Sequence, residues 1–557
     1  MKAALVLVLL LIACQAAPST AVGIPPAPGA YSPEAAAVRG GTLVLADWEA
    51  PAGLDPIHAT TSNELRLASL LFSPLWGLDP RLRPYPDLLR EVPSVADGDV
   101  KPGADGLTMT VDLKLRHGLR WSDGAPITAD DLIFTVDSIC AAPLPAVGAA
   151  GFDHIASQER RSDTEVVWHF GPRPRGSCGL AEDLPSGLYP AFELLGPRTR
   201  LLPAHRLGAL PVPAWAAAPF FQHPDASSGP FAYRGGVPGS LVELAANPHY
   251  ADGGSSFRHA PALAGISDRF YNGKPAMIAG LAAGAADLGF HLLPGDAGEL
   301  KGVPGSVTIV TPTLQGEFLN PNHGVNSGTG RPPPWVADPE ILRALDEAID
   351  RPALNAAAFG GAASITPGLY PAAMAGHGTA VAPRRDLADA RRILAGRSPA
   401  FTLLTVCDSA PRQLEQAELV RQWAEAGALV TGACAPRAEF FAGDGPNARG
   451  AFDMSLYSNG WAPDPAAWAP LATGPGNWNR CQDPLLQADF GAGAATLDPV
   501  RRRTAYAAAE AEWLRYRCTL PLFEWPSVVQ RPGRLHNFVP NPTLSTDSWN
   551  AADWWLG

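Results

Sequence analysis

The sequence predicts an α/β chain of more than one domain, on three observations. Residues 107–115 alternate, with Leu107, Met109, Val111, Leu113 and Leu115 on one face and Thr108, Thr110, Asp112 and Lys114 on the other. That is the period-two pattern of a half-buried strand. Phe401–Val406 reads as a strand, Arg412–Ala426 as an amphipathic helix stopped by Gly427, and Leu429–Thr431 as a second strand. Such a βαβ unit has parallel strands and a right-handed crossover. Finally, 557 residues are too many for one core.

The remaining elements follow in chain order. Met1–Cys14 has Lys2, an apolar run Ala3–Ile12 and a cysteine after small Ala13, the pattern of a secretory signal ending in a lipobox. Lipidation is expected on Cys14, holding the body at a membrane face. Residues 15–37 are rich in Ala, Pro, Ser and Gly without periodicity and read as a tether. A buried strand begins near Gly40, and Glu64–Phe72 reads as a helix. After the strand at 107–115, Trp121-Ser122-Asp123-Gly124 is a turn needing a positive φ at Gly124. Thr128 and Asp131 then form an approximate capping box for a helix carrying Leu132, Ile133, Val136 and Ile139. Strands are expected at Thr164–Phe170, Ile266–Phe270 and Val307–Val310, and a helix at Ala276–Ala285. Asp338-Pro339-Glu340 opens another helix with a capping acid and proline at its first position. Gly360-Gly361 closes the next. In the helix at 412–426, Leu414, Ala417, Val420 and Trp423 or Ala424 are expected to face inward. Val500–Arg515 is the last long helix.

Bulk properties exclude some functions. The net charge of −12 argues against a sequence-independent hold on nucleic acid. There is no G-x-S-x-G elbow and no H-E-x-x-H, and the histidines form no i,i+4 pair, so neither an enzyme nor a metal site is expected. Six cysteines follow Cys14, none in a C-x-x-C. In an exported chain they suggest disulfides, with fifteen connectivities open and free thiols the alternative. Cys407 and Cys434 each lie at the C-terminal end of a strand in the βαβ unit. If those strands are neighbours, the pair falls within bridging range. Cys140–Cys178 and Cys481–Cys518 then follow by elimination. Trp461, Trp468 and Trp478 cluster in sequence, where aromatics can line a cleft or pack a core.

Several motifs together resemble one family. Arg116-x-Gly118-Leu119-Arg120-Trp121-Ser122-Asp123-Gly124-x-Pro126-Ile127-Thr128-Ala129-Asp130-Asp131 is similar to the signature of the family 5 extracellular solute-binding proteins, the peptide- and nickel-binding components of ABC importers. Gly40-Gly41-Thr42-Leu43, Asn247-Pro248-His249-Tyr250, Arg343-Ala344-Leu345…Ala348-Ile349-Asp350-Arg351 and Phe452-Asp453-Met454…Gly460-Trp461 extend the resemblance over nearly the whole chain.

The resemblance implies a type II, cluster C periplasmic-binding-protein-like fold: two lobes around a cleft, with an extra inserted subdomain. Residues 38–75, 200–310 and 525–557 would form one lobe, 76–199 the insertion, and 311–524 the other lobe. It implies a monomer without cofactor that takes a peptide, or another small solute, to a membrane permease and its ATPase subunits, on the extracytoplasmic face. Nickel chelates, opines and sugars are alternatives in the same fold; a ligand-sensing regulator or a secreted enzyme lies outside it. Gly460, Trp461, Asp464 and Trp468 are the expected ligand-binding residues, with Asp464 at the position that pairs with a peptide's α-amino group. The family's second acid after this motif is missing from Asp464-Pro465-Ala466-Ala467.

Overall fold

A computed structural model of the chain describes residues 21–22 and 31–557, apart from residues 58, 60, 142–149, 256, 301–302, 367, 375–377, 379–383, 461, 475 and 544–545. The expected signal, Cys14 and much of the tether lie outside the described residues.

One sheet runs through both lobes. Its strand order is Leu429–Ala435, Ala400–Val406, Met454–Gly460, Ser306–Pro321, Leu520–Pro532, Leu288–Leu292, Thr42–Asp47, Gly265–Phe270, Leu241–Ala246 and Phe231–Val237. The predicted parallel pairing in the βαβ unit holds, with Ala400 opposite Leu429 and Val406 opposite Ala435. The helix between them is Ala410–Ala426, ended by Gly427 at φ 102°.

Two long strands stand in the middle of this sheet. Ser306–Pro321 and Leu520–Pro532 pair antiparallel, with a bulge between Pro312 and Gly316. Beyond the bulge on one side, Leu520–Pro532 pairs with Leu288–Leu292 of the first lobe. On the other side, Gln315–Pro321 pairs with Met454–Gly460 of the second. The sequence pattern showed only Val307–Val310, because Pro312 and the bulge interrupt the alternation.

The inserted segment forms a four-stranded antiparallel sheet from Val100–Pro102, Met109–Lys114, Glu165–Phe170 and Ile155–Ser162. Helix Ala129–Ala141 packs on it, and the expected cap is present: the Thr128 N–H donates to Asp131 Oδ2 at 2.9 Å. Gly124 has φ 89°. Trp76, Trp121 and Trp168 of the insertion share one continuous apolar cluster with Leu43, Leu45 and Phe231 of the first lobe. Arg258 spans the same boundary, buried, 2.5 Å from Asp87 and 4.3 Å from the Tyr250 ring centroid. An arginine removed from water needs such a counter-ion.

The second lobe has separate clusters, one around Leu345, Trp423 and Leu522, another around Trp468, Tyr506 and Trp513. Helix Ala410–Ala426 turns Trp423 inward as expected but otherwise presents a different face. Leu414 is 50% exposed, and Ala417 and Ala424 are exposed, whereas Arg412, Glu415, Gln416, Leu419 and Trp423 are buried. The reason is polar: Gln416 Nε2 donates to the carbonyls of Leu403 and Ala433, both at 2.8 Å, and Arg412 pairs with Glu317. Side chains satisfied in this way can occupy the inner face.

Three disulfides are formed: Cys140–Cys178, Cys407–Cys434 and Cys481–Cys518, with Cα separations of 4.1, 5.1 and 5.4 Å. Among the described residues, no helix is long and apolar enough to cross a membrane.

Candidate ligand-binding site

Apolar contacts cross between the Trp468 cluster and the large cluster around Leu43 in both directions. Leu82, at the tip of the hairpin Trp76–Leu78/Pro84–Pro86, packs against the Trp468 cluster of the second lobe. Leu497 of the second lobe packs against the large cluster of the first. Between the lobes, at the bulge of the two central strands, lies a cavity of about 320 Å³. That is the lower part of the range for small-ligand pockets.

Its walls come from both lobes and from the two central strands. Helix Ser62–Leu71 contributes Leu65 and Arg66; strand Leu288–Leu292 contributes Phe290 and His291. The bulge contributes Thr313, Leu314 and Gln315, the facing strand Trp525, and the closing segment Asn541 and Asp547. Thr313 and Leu314 have no partner residue in the ladder with Leu520–Pro532. These two residues therefore border the cavity at a place where that ladder is interrupted.

A charge network lies along the first-lobe wall. Arg66 is 2% exposed, 2.8 Å from Asp268 and 3.3 Å from Asp47, with its guanidinium 4.4 Å from the Phe290 ring centroid. His291 Nδ1 is 3.0 Å from Asp47. His291 has φ 55°, in the left-handed region that few non-glycine residues adopt. The strand's register slips between Gly289 and Leu292, and this slip carries the ring toward Asp47. Strain of that kind amounts to about 1–3 kcal/mol and gathers at functional sites. Burial pushes the Asp47 carboxyl up, but hydrogen bonding from His291 and the charges of His291 and Arg66 outweigh it and hold the group below the usual range. At Asp268 burial wins over Arg66, and the carboxyl is raised. Burial also raises Asp547, whose Oδ1 accepts the Asn541 N–H at 2.7 Å.

Behind the opposite wall, Arg412 lies 4.8 Å from the Trp525 ring centroid, with Nε and Nη2 at 2.8 and 3.0 Å from Glu317. Glu415 beside them is fully buried, and neither of its oxygens has a hydrogen-bond partner. Its carboxyl is raised well above the ordinary value, first by burial and then by the charge of Glu317.

The residues expected at the ligand are not gathered in this cavity. Gly460 abuts it: at φ 129°, a Cβ there would meet the Leu314 carbonyl oxygen at 2.3 Å. Trp461 lies outside the described residues. Trp468 is 2% exposed and packs edge-on against Phe318 and Tyr370, a core position. Asp464 caps the turn Pro465–Trp468 through the Ala466 N–H and forms a two-point ion pair with Arg502. It is absent from the cavity wall. Arg66, His291, Trp525 and Asp547 carried no local signal. They meet only through the sheet order and a segment nearly 500 residues downstream of the first strand. Among the described residues, no group of three or more His, Cys, Asp or Glu is arranged to hold a metal ion.

Comparison with known proteins bears on this arrangement. Residues 90–480 match the description "Bacterial extracellular solute-binding proteins, family 5 Middle". The chain is 23% identical over 256 residues to the oligopeptide-binding protein AppA of Bacillus subtilis (strain 168). That match covers 46% of this chain and 41% of AppA, so the chain spans less than half the length of this curated relative. Among solved structures, it superposes on the ABC transporter substrate-binding protein CtaP of Listeria monocytogenes with a TM-score of 0.76 at 20% identity, covering 93% of this chain and 99% of that one. The structure of B. subtilis AppA in complex with a nonapeptide gives a TM-score of 0.68 at 17% identity, covering 94% and 100%.

Proposed function

The chain belongs to the bacterial extracellular solute-binding proteins of family 5, and on that premise we propose that it captures a short peptide between its lobes and delivers it to the permease of an ABC importer. The observation that carries the reading is the cavity at the bulge of the two central strands. A peptide is recognised first through its backbone, and Thr313 and Leu314 line the cavity where their ladder with Leu520–Pro532 is interrupted. The AppA structure, solved with a nonapeptide, supports the same ligand class.

In this reading, residues 38–75, 200–310 and 525–557 act as one lobe and 311–524 as the other, with 76–199 inserted. Closure around the ligand bends the two central strands and presents the closed form to the permease. The protein binds and releases its solute without chemical change. Cys14 carries diacylglycerol and anchors the body to the extracytoplasmic face of the membrane. Cys14→Ser is expected to release the protein from the membrane fraction or leave an unprocessed precursor; unchanged fractionation and migration overturn the anchor.

Native mass spectrometry of the protein purified from its own cells tests the ligand. A peptide released on denaturation is the expected result. A nickel chelate, an opine or a sugar released in its place overturns the peptide reading.

A further inference from the structure

We propose that the ligand in the interlobe cavity presents an ammonium or guanidinium group to Asp547. This rests on the reading above that the cavity receives a peptide, and it names the part of that peptide the site selects.

The argument is a charge count along the cavity wall. Asp547 lines the cavity, and among the described residues its one hydrogen bond is from the Asn541 backbone. Among the described residues, no cationic nitrogen lies within ion-pair distance of its carboxylate. One arginine and one histidine also line the cavity, Arg66 and His291, and both are committed elsewhere. Arg66 is held by Asp268 and Asp47, and His291 by Asp47. Asp47 and Asp268, behind the wall, thus hold Arg66 and His291, and Asp547 is the carboxyl on the wall itself that is left without an ion-pair partner among the described residues. Burial already disfavours its charge, and Arg66 and His291 attract it without forming an ion pair with it. A half-buried acid with no counter-ion, opening on a mainly apolar space, is matched by a cation brought from outside.

The rest of the cavity defines the body behind that cation. Leu65, Phe290, Leu314 and Trp525 offer apolar surface, and about 320 Å³ limits the occupant to a few residues. Asp464 does not compete for the role, because Arg502 already matches its charge. The cation can be a peptide's own α-ammonium or a basic side chain, and the two are separable.

The test is calorimetry on the full chain in detergent, wild type and Asp547→Asn. The probes are Ala-Leu-Ala, which carries an α-ammonium; N-acetyl-Ala-Arg-Ala, which carries only a guanidinium; and N-acetyl-Ala-Leu-Ala, which carries neither. The wild type is expected to bind one of the first two at least tenfold more tightly than the third, and the identity of that one names the source. Asp547→Asn, which keeps an acceptor for the Asn541 N–H, is expected to abolish the preference. Asp547→Glu, checked for unchanged thermal unfolding, is expected to retain it, and it serves alone if the asparagine variant fails to fold; loss of the preference in a folded Asp547→Glu then counts against the assignment. A cation preference that survives in Asp547→Asn, or equal binding of all three probes to the wild type, overturns the role of Asp547 and leaves peptide capture standing. Failure of all three to bind the wild type overturns peptide capture, and this assignment with it.

Discussion

Arg502 holds both carboxylate oxygens of Asp464, at 2.8 and 2.7 Å, in a pair whose side chains are only 12% and 13% exposed. The pair faces the inserted segment: the Glu193 carboxyl, raised first by burial, is raised further by Asp464 and lowered by Arg502. An acid that the sequence alone would offer to a ligand is thus already neutralised from the last long helix.

Breaking this pair is expected to affect stability more than binding. Asp464→Asn leaves Arg502 without its carboxylate partner, at a cost of about 3 kcal/mol, the low end of what breaking a buried ion pair does. Urea unfolding measures it. Affinity for a bound tripeptide is expected to stay within about threefold of the wild type, well inside 1.4 kcal/mol. A variant that unfolds like the wild type but loses free-amine peptides, while N-acetylated ones are unaffected, returns Asp464 to the ligand.

Glu415 gives a dependence on pH. Its folded-state affinity for a proton is raised well above the ordinary value by burial and by Glu317, while Arg412 opposes. The folded state therefore holds a proton that the unfolded state releases near the ordinary glutamate value of 4.5. The contribution to stability is fully present below that pH and is lost as pH rises toward the folded-state value. Glu415→Met removes the proton and two unpartnered buried oxygens at similar volume. Stabilisation of about 1–3 kcal/mol is expected at neutral pH, shrinking toward pH 4. Thermal unfolding of both proteins from pH 4 to 8 decides it; parallel profiles refute the assignment.

Cys407 and Cys434 close a loop of 27 residues across the outermost strands of the shared sheet. In the chain-entropy account such a loop contributes about 3 kcal/mol. The double Cys→Ser variant is expected to lose about that much in denaturant unfolding. Peptide mapping without reduction is expected to recover the two fragments linked; free thiols at both positions refute it.

Local signals in the sequence were reliable where one element decides the outcome. The Thr128–Asp131 cap, the Asp338 cap with Pro339 and the Gly427 stop are written in neighbouring residues, and each is present. The parallel pairing of Ala400–Val406 with Leu429–Ala435 follows from chirality and connection length. Hydrophobic periodicity misled at Ala410–Ala426, since Arg412, Glu415 and Gln416 lie inward with polar or charged neighbours on other elements. The cavity was illegible for a similar reason. Asp547 is a loop aspartate until the fold sets it beside Arg66 and His291, and His291 reaches Asp47 only through a backbone conformation that no residue pattern announces.

Because Thr313, Leu314 and Trp525 belong to the two central strands, an occupant here, on the closure proposed above, would rest on the joint that bends. A closing flap can be removed and leave its pocket behind; a flexing joint cannot be separated from what it grips. Substitutions along residues 312–316 are therefore expected to alter grip and gait together: a stiffer joint would slow both arrival and departure of the cargo, and a looser one would hasten both.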